Sequence, residues 1–216
     1  MPGLSFLLLV IILINAAFTY KGLEDYSFFE KYKFSVAGIQ RGEYYRFISG
    51  AFLHAGWGHF LFNMITLYFF FGPVQMFLGT FGVLLVYFGG LIGGNMLAYY
   101  FHKNDPWYTA VGNSGAVNAI VFSAIIINPS MSIIILPIPI PIPAYIYAVG
   151  YLLYSTFGMD RQIGNIGHEA HFGGAAAGLV LTWILLPELL SARLLLNLVM
   201  SAVIIGGMIY VKSNRS

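Results

Sequence analysis

The sequence predicts an all-α membrane protein, a polytopic bundle of six helices with a seventh transmembrane helix added at the C-terminus. Three observations predict that class. Only 8% of the 216 residues are charged, against about 25% in soluble domains. Hydrophobic residues make up 59% of the chain and gather in segments near spanning length. The alternating strands of about ten residues that mark a transmembrane barrel are missing. A net charge of +2 is too small to point to nucleic acid, so the lipid bilayer is the expected surrounding and nucleic acid is not an expected partner. There is no cysteine, which excludes disulfides, thiolate metal sites and a cysteine nucleophile. The acidic residues all lie in loops or at helix ends, and this argues against a proton-coupled pump.

The first apolar segment is Leu4 to Phe18. It lacks the basic leader of a signal peptide and reads as a spanning helix. Lys21 to Ala55 mixes Lys, Glu, Tyr and Phe, as in a loop on or partly in the interface. Trp57 to Phe77 and Phe81 to Phe101 are the second and third spans, joined by a turn at Gly79-Thr80. After a short polar loop, Ser114 to Asn128 is the fourth. At about 1.5 Å per residue it reaches roughly 22 Å, short of a hydrocarbon core of about 30 Å. One of its ends therefore lies below the membrane surface, where non-helical backbone is tolerated only inside protein or beside a water-filled cavity. If that end is Ser114, the serine sits in such a cavity. The alternating prolines of Leu136 to Pro143 predict a stiff, extended, polyproline-like loop. The fifth span runs from about Pro141 to Phe157, the sixth from Glu169 to Leu186 and the seventh from Leu194 to Val211. A core over residues 1–190 and an added helix with its tail over 191–216 follow from this division.

Three polar islands interrupt the apolar chain: His54 to Asn63, Gly112-Asn113-Ser114-Gly115, and Gly167-His168-Glu169-Ala170-His171-Phe172-Gly173-Gly174. His171, Gly174 and Gly178 are spaced i, i+3, i+7 and share one helix face. A glycine pair at that spacing lets another helix approach closely, and it is often no more than a packing device. The histidine one turn before it adds chemistry. Close approach to Ser114-Gly115 would let an imidazole take the hydroxyl proton as general base. His59 and Asn63, at i and i+4, both carry side-chain donors on one face. They could tie helices together, or they could stabilise an oxyanion in a low-dielectric cavity. His54, just upstream, could support His59.

Other chemistries compete. A zincin needs histidines at i, i+4 with a glutamate between them. His168-Glu169-Ala170-His171 is one residue short, so no metal site is expected. Haem ligation by pairs drawn from His54, His59, His168 and His171 is a sharper rival, but it leaves Ser114 without a purpose. A third possibility is a non-catalytic protein that binds transmembrane segments.

At these residues the chain resembles the rhomboid family of intramembrane serine proteases. Gly112-Asn113-Ser114-Gly115 is similar to the family's GxSG, and Ala170-His171 with Gly174 and Gly178 to its AHxxGxxxG. His59 and Asn63 are similar to its HxxxN, Phe52-Leu53-His54-Ala55 to the stretch before the second helix, and Tyr45-Arg46 to a first-loop Trp-Arg pair. The resemblance covers about residues 40 to 180. It implies that Ser114 is the nucleophile and His171 the general base, with no acid and no cofactor. It implies that His59, Asn63 and the Ser114 backbone N–H stabilise the oxyanion and that Gly112 shapes the loop around it. It implies lateral opening near the fifth helix to admit a transmembrane protein substrate. The seventh helix is an addition found in part of the family. Three positions depart from the pattern. Tyr45 replaces the Trp, Gln75 stands where a glutamate is common, and Asn118 replaces the aromatic that often stacks on the histidine. The resemblance places the N-terminus in the cytoplasm of a bacterial-type plasma membrane, with the site open to the extracytoplasmic side. Lys21, Lys31, Lys33, Arg41 and Arg46 crowd the first loop, and by the charge rule alone they favour the opposite orientation.

Overall fold

The structure is a computed structural model and describes residues 5–135, 138–161 and 167–215. Leu4, Leu136 and Pro137 of the expectations above lie outside the described residues. Helix α1 (Phe6–Glu24) opens with Ser5, whose hydroxyl accepts the Leu8 N–H at 3.2 Å. It runs six residues past the expected end, Phe18. Asp25 closes it and in turn caps α2 (Tyr26–Tyr32) by accepting the Phe28 N–H at 3.1 Å.

The first loop is an ordered structure. After α2 come β1 (Phe34–Ser35), α3 (Val36–Gln40), α4 (Arg46–Ser49) and a 3-10 turn over Gly50–Phe52. Buried Arg46 ties the loop together. Its Nη1 donates to the carbonyls of Glu30 at 2.9 Å and Lys33 at 2.8 Å, and its Nε pairs with Glu43. The Tyr45 ring lies 5.5 Å from the guanidinium, and its hydroxyl donates to the Lys31 carbonyl at 3.1 Å. Tyr45 thus supplies the aromatic face a Trp would give.

The second and third spans are the two helical arms of α5 (Trp57–His102), which meet at the expected turn, where Gly79 has φ 67° and ψ −179°. Gln75 donates across that turn to the Thr80 hydroxyl at 3.4 Å. Each arm is about 33 Å long at about 1.5 Å per residue, enough to cross the bilayer core. Strand β2 (Thr109–Ala110) pairs antiparallel with β1 and fastens the first loop to the segment leading into α6. Helix α6 (Ser114–Ile127) is the central element, buried at every position from Gly115 to Ile127. Among the described residues, α1, α5 and α10 are long and apolar enough to span a membrane; α6 is apolar but shorter.

Two expectations are corrected beyond α6. The proline-rich stretch is one arm of a hairpin, β3 (Ser132–Ile135) with β4 (Ile138–Pro143), rather than a polyproline loop. Helix α7 (Ala144–Arg161) consequently starts after Pro143 and not near Pro141. The prolines alternate, so the paired isoleucines Ile142 and Ile138 keep an N–H for the partner strand. Helix α8 (His168–Leu185) packs between α5 and α6, and α9 (Glu188–Ala192) turns the chain into α10 (Leu194–Arg215). Helix α10 lies along α7: Tyr210 and Asn214 donate to the Asp160 carboxylate at 3.3 and 3.1 Å.

Glycines let the three central helices touch. A Cβ added at Gly178 would lie 2.6 Å from Ala119 Cα, and one at Gly174 would lie 2.7 Å from Gly115 Cα. A Cβ at Gly173 would meet the Gly93 carbonyl oxygen at 2.8 Å. The face expected from His171, Gly174 and Gly178 is thus the face that α8 presents to α6.

Candidate active site

Ser114 is the first residue of α6, partly buried, with the backbone N–H groups of a helix start beside it. Two features hold the segment before it. Gly112 has φ +112° and donates its N–H to the Gly50 carbonyl at 3.0 Å. A Cβ there would also lie 2.5 Å from Cε1 of His59, so glycine is required twice, for backbone shape and for room. Asn113 is buried and donates to the Tyr87 hydroxyl at 3.0 Å, while its Oδ1 lies 3.2 Å from His54 Nε2. His54 is completed by Thr19 at 2.8 Å from Nδ1. A neutral ring gives its one N–H to Asn113, whose amide nitrogen is already committed to Tyr87. Burial, with His59 alongside, holds the His54 imidazole down to about 4. With both ring nitrogens bonded, His54 has no lone pair to offer iron, and this removes it from the haem pairs.

His59 and Asn63 stand on the opening turns of α5, next to that segment. The His54 and His59 rings are 5.0 Å apart, edge to face. Asn63 is buried, and its amide nitrogen has no hydrogen-bond partner among the described residues. A buried donor left unmade costs about 1–3 kcal/mol, and folds rarely tolerate it without a use. It is available to an acceptor formed at the site.

His171 sits one turn before Gly174 on α8, and α8 meets α6 backbone to backbone at Gly174 and Gly115. Gly115 itself would meet the Ala170 carbonyl at 3.2 Å if it carried a Cβ. The structure therefore brings the turn that carries His171 against the turn that starts with Ser114. Glu169 is engaged elsewhere, 3.1 Å from His102 Nε2 at the end of α5, and His102 stacks on Tyr108 at 3.6 Å.

Sequence reasoning missed one residue here. The Tyr151 hydroxyl of α7 lies 3.0 Å from Nδ1 of His171, and the two rings are near parallel at 19°, with centroids 6.4 Å apart. Asn118, where an aromatic was missed, donates to the Ser114 carbonyl at 2.9 Å. The only hint of Tyr151 was its place in a tyrosine-rich span, where Tyr145, Tyr147, Tyr151 and Tyr154 look alike.

Several known proteins are similar to parts of this chain. YdcA of Bacillus subtilis (strain 168), described as a candidate rhomboid protease, is 40% identical over 80 residues, covering 37% of this chain and 39% of that protein. Rhomboid-like protein 11, chloroplastic, of Arabidopsis thaliana is 28% identical over 66% of this chain and 52% of its own length. Rhomboid-related protein 2 of Mus musculus is 31% identical over 65% of this chain and 47% of its own. The chain thus spans about half the length of these relatives, or less. The Rhomboid domain model matches residues 41–188, the stretch from the first loop through α8. Together with its long apolar helices, that match identifies an integral, multi-pass membrane protein, and the chain belongs to the rhomboid family.

Proposed function

We propose that this protein is an intramembrane serine endopeptidase that cleaves transmembrane segments of other membrane proteins. Ser114 Oγ attacks the scissile carbonyl and His171 Nε2 takes its proton. The tetrahedral oxyanion receives the Ser114 backbone N–H and the side-chain donors of His59 and Asn63. His171 then returns the proton to the leaving amine, and a water, deprotonated by the same ring, hydrolyses the acyl-enzyme. No cofactor enters these steps. Lateral opening near α7 admits the substrate. The site faces the extracytoplasmic side of a bacterial-type plasma membrane, with the first loop outside. That loop's basic residues favour the opposite side by count, but Arg46 is buried and bonded within the loop and serves the fold.

The observation that carries this reading is the backbone contact of Gly174 with Gly115, which sets the His171 turn against Ser114. Neither a haem protein nor a segment-binding protein needs that contact to fall beside a serine. The test is Ser114→Ala with a fluorophosphonate probe and a model transmembrane substrate. Wild type is expected to label and cleave, and Ser114→Ala to do neither while keeping a near wild-type melting temperature. Cleavage by Ser114→Ala at close to the wild-type rate would refute the mechanism, and a Soret band in the purified protein would favour haem.

A further inference from the structure

We infer that Tyr151 is a positioning residue for the general base, and that it works from α7 in place of an aromatic on α6. The inference rests on the Ser114–His171 reading. At position 118, one turn after the serine, stands Asn118, whose amide bonds back to the Ser114 carbonyl at 2.9 Å. It adjoins the Tyr151 hydroxyl and leaves the histidine face to a ring from another helix.

The chemistry fixes the direction of the hydrogen bond. For Nε2 to accept the serine proton, the hydrogen of neutral His171 must sit on Nδ1. Nδ1 then donates to the Tyr151 oxygen 3.0 Å away, and the phenol supports the base-competent tautomer by accepting that bond. When Nε2 takes the proton, the same Nδ1–H is donated by an imidazolium, and such charge-assisted bonds are roughly twice as strong. The stacked ring restrains rotation of the imidazole. Phe122 of α6 and Tyr147 of α7 flank the phenol at 5.9 and 5.5 Å, so its own place is set by packing.

The support arrives on α7, which lies against α8 closely enough that a Cβ at Gly158 would come within 2.5 Å of the His168 ring. Asp160, nearby on α7, accepts from Tyr210 and Asn214 of α10. Moving α7 outward would withdraw the Tyr151 hydroxyl from Nδ1. The base is completed only with α7 in place.

Tyr151→Phe keeps the ring and removes the acceptor; Tyr151→Leu removes both. Turnover of a transmembrane substrate and the rate of Ser114 labelling by a small fluorophosphonate are measured for each, beside wild type and Ser114→Ala. Losing a hydrogen bond to a charged group corresponds to about 10- to 100-fold in rate. Tyr151→Phe is expected to lose about that much kcat, with KM within about twofold, and Tyr151→Leu to lose more. Small-probe labelling is expected to fall in parallel, because the probe needs no lateral admission. Wild-type kcat and labelling in Tyr151→Phe would overturn the inference. So would a raised KM with unchanged labelling, since Tyr151 would then only shape the substrate path. If Tyr151→Leu fails to fold, Tyr151→Phe decides alone. Cleavage by Ser114→Ala would instead refute the dyad, a separate failure.

Discussion

Changing Gly178 to Val tests the contact on which the site depends. A Cβ at this position would lie 2.6 Å from Ala119 Cα and 2.8 Å from its carbonyl carbon, where ordinary contacts begin at 3.4 Å. The obstacle is the backbone of α6, which has no rotamer with which to yield. The Ala119 carbonyl oxygen is closer still, so helices α6 and α8 must part by about 1 Å for the first carbon, and by more for the two methyls. Overpacking of this kind costs about 1–3 kcal/mol. Gly178 lies about two turns from His171, too far for the valine to touch substrate at the site. The separation still propagates along a rigid helix to the base, where a misplacement of about 1 Å can cost on the order of 10²-fold in rate. Gly206→Val in α10 is the control, because nothing among the described residues lies within 4 Å of a Cβ there. Both variants are measured for melting temperature and cleavage rate in one detergent. Gly178→Val is expected to lose on both measures and Gly206→Val on neither. A wild-type Gly178→Val would remove the physical basis for pairing Ser114 with His171.

Two further outcomes follow from the same site. Asn63→Ala removes one oxyanion donor and is expected to lower kcat by about 10²–10³ with KM little changed, as is His59→Ala; unchanged turnover in both would make that face purely structural. The buried imidazole of His54 makes stability depend on pH. The unfolded chain protonates this ring near 6.5 and the folded one only near 4, so its contribution is complete above 6.5 and lost as pH falls through 4. Melting temperature is expected to fall over that window with a slope shallower in His54→Gln, and parallel slopes would show that His54 does not carry the effect.

The helices and their glycine contacts were legible because both rest on local rules. Apolar runs report spanning segments, and small residues at i, i+3, i+7 report a face that another backbone can approach. His171, Gly174 and Gly178 needed only one helix to be aligned. Tyr151 was hidden because it reaches His171 across 20 residues and from a different helix, and no spacing rule links α7 to α8. The expected aromatic at 118 drew attention to a loss on α6, while its replacement came from the opposite side. The short helices of the first loop were hidden for a related reason. They are held by Arg46 reaching the carbonyls of Glu30 and Lys33, contacts over 16 and 13 residues. The turn between the second and third spans was legible for the same local reason, since Gly79 takes the positive φ at which the two arms of α5 part. The prolines of β4 were read by their dihedral preference, when their spacing of two was the stronger message.

That spacing has a consequence for the rim of the hairpin. A strand presents its N–H groups alternately to its partner and away from it. In β4 Ile142 faces Ile133 across the ladder, while Pro141 and Pro143 stand opposite Ile134 and Ser132. Proline has no N–H to give, so over Pro141 to Pro143 the outward edge of β4 is lined with carbonyls and stripped of donors. Such an edge cannot complete a ladder with an extended chain, because half of every pair of bonds is absent. An extended chain laid against this rim of the hairpin would find carbonyls to bond and no donors.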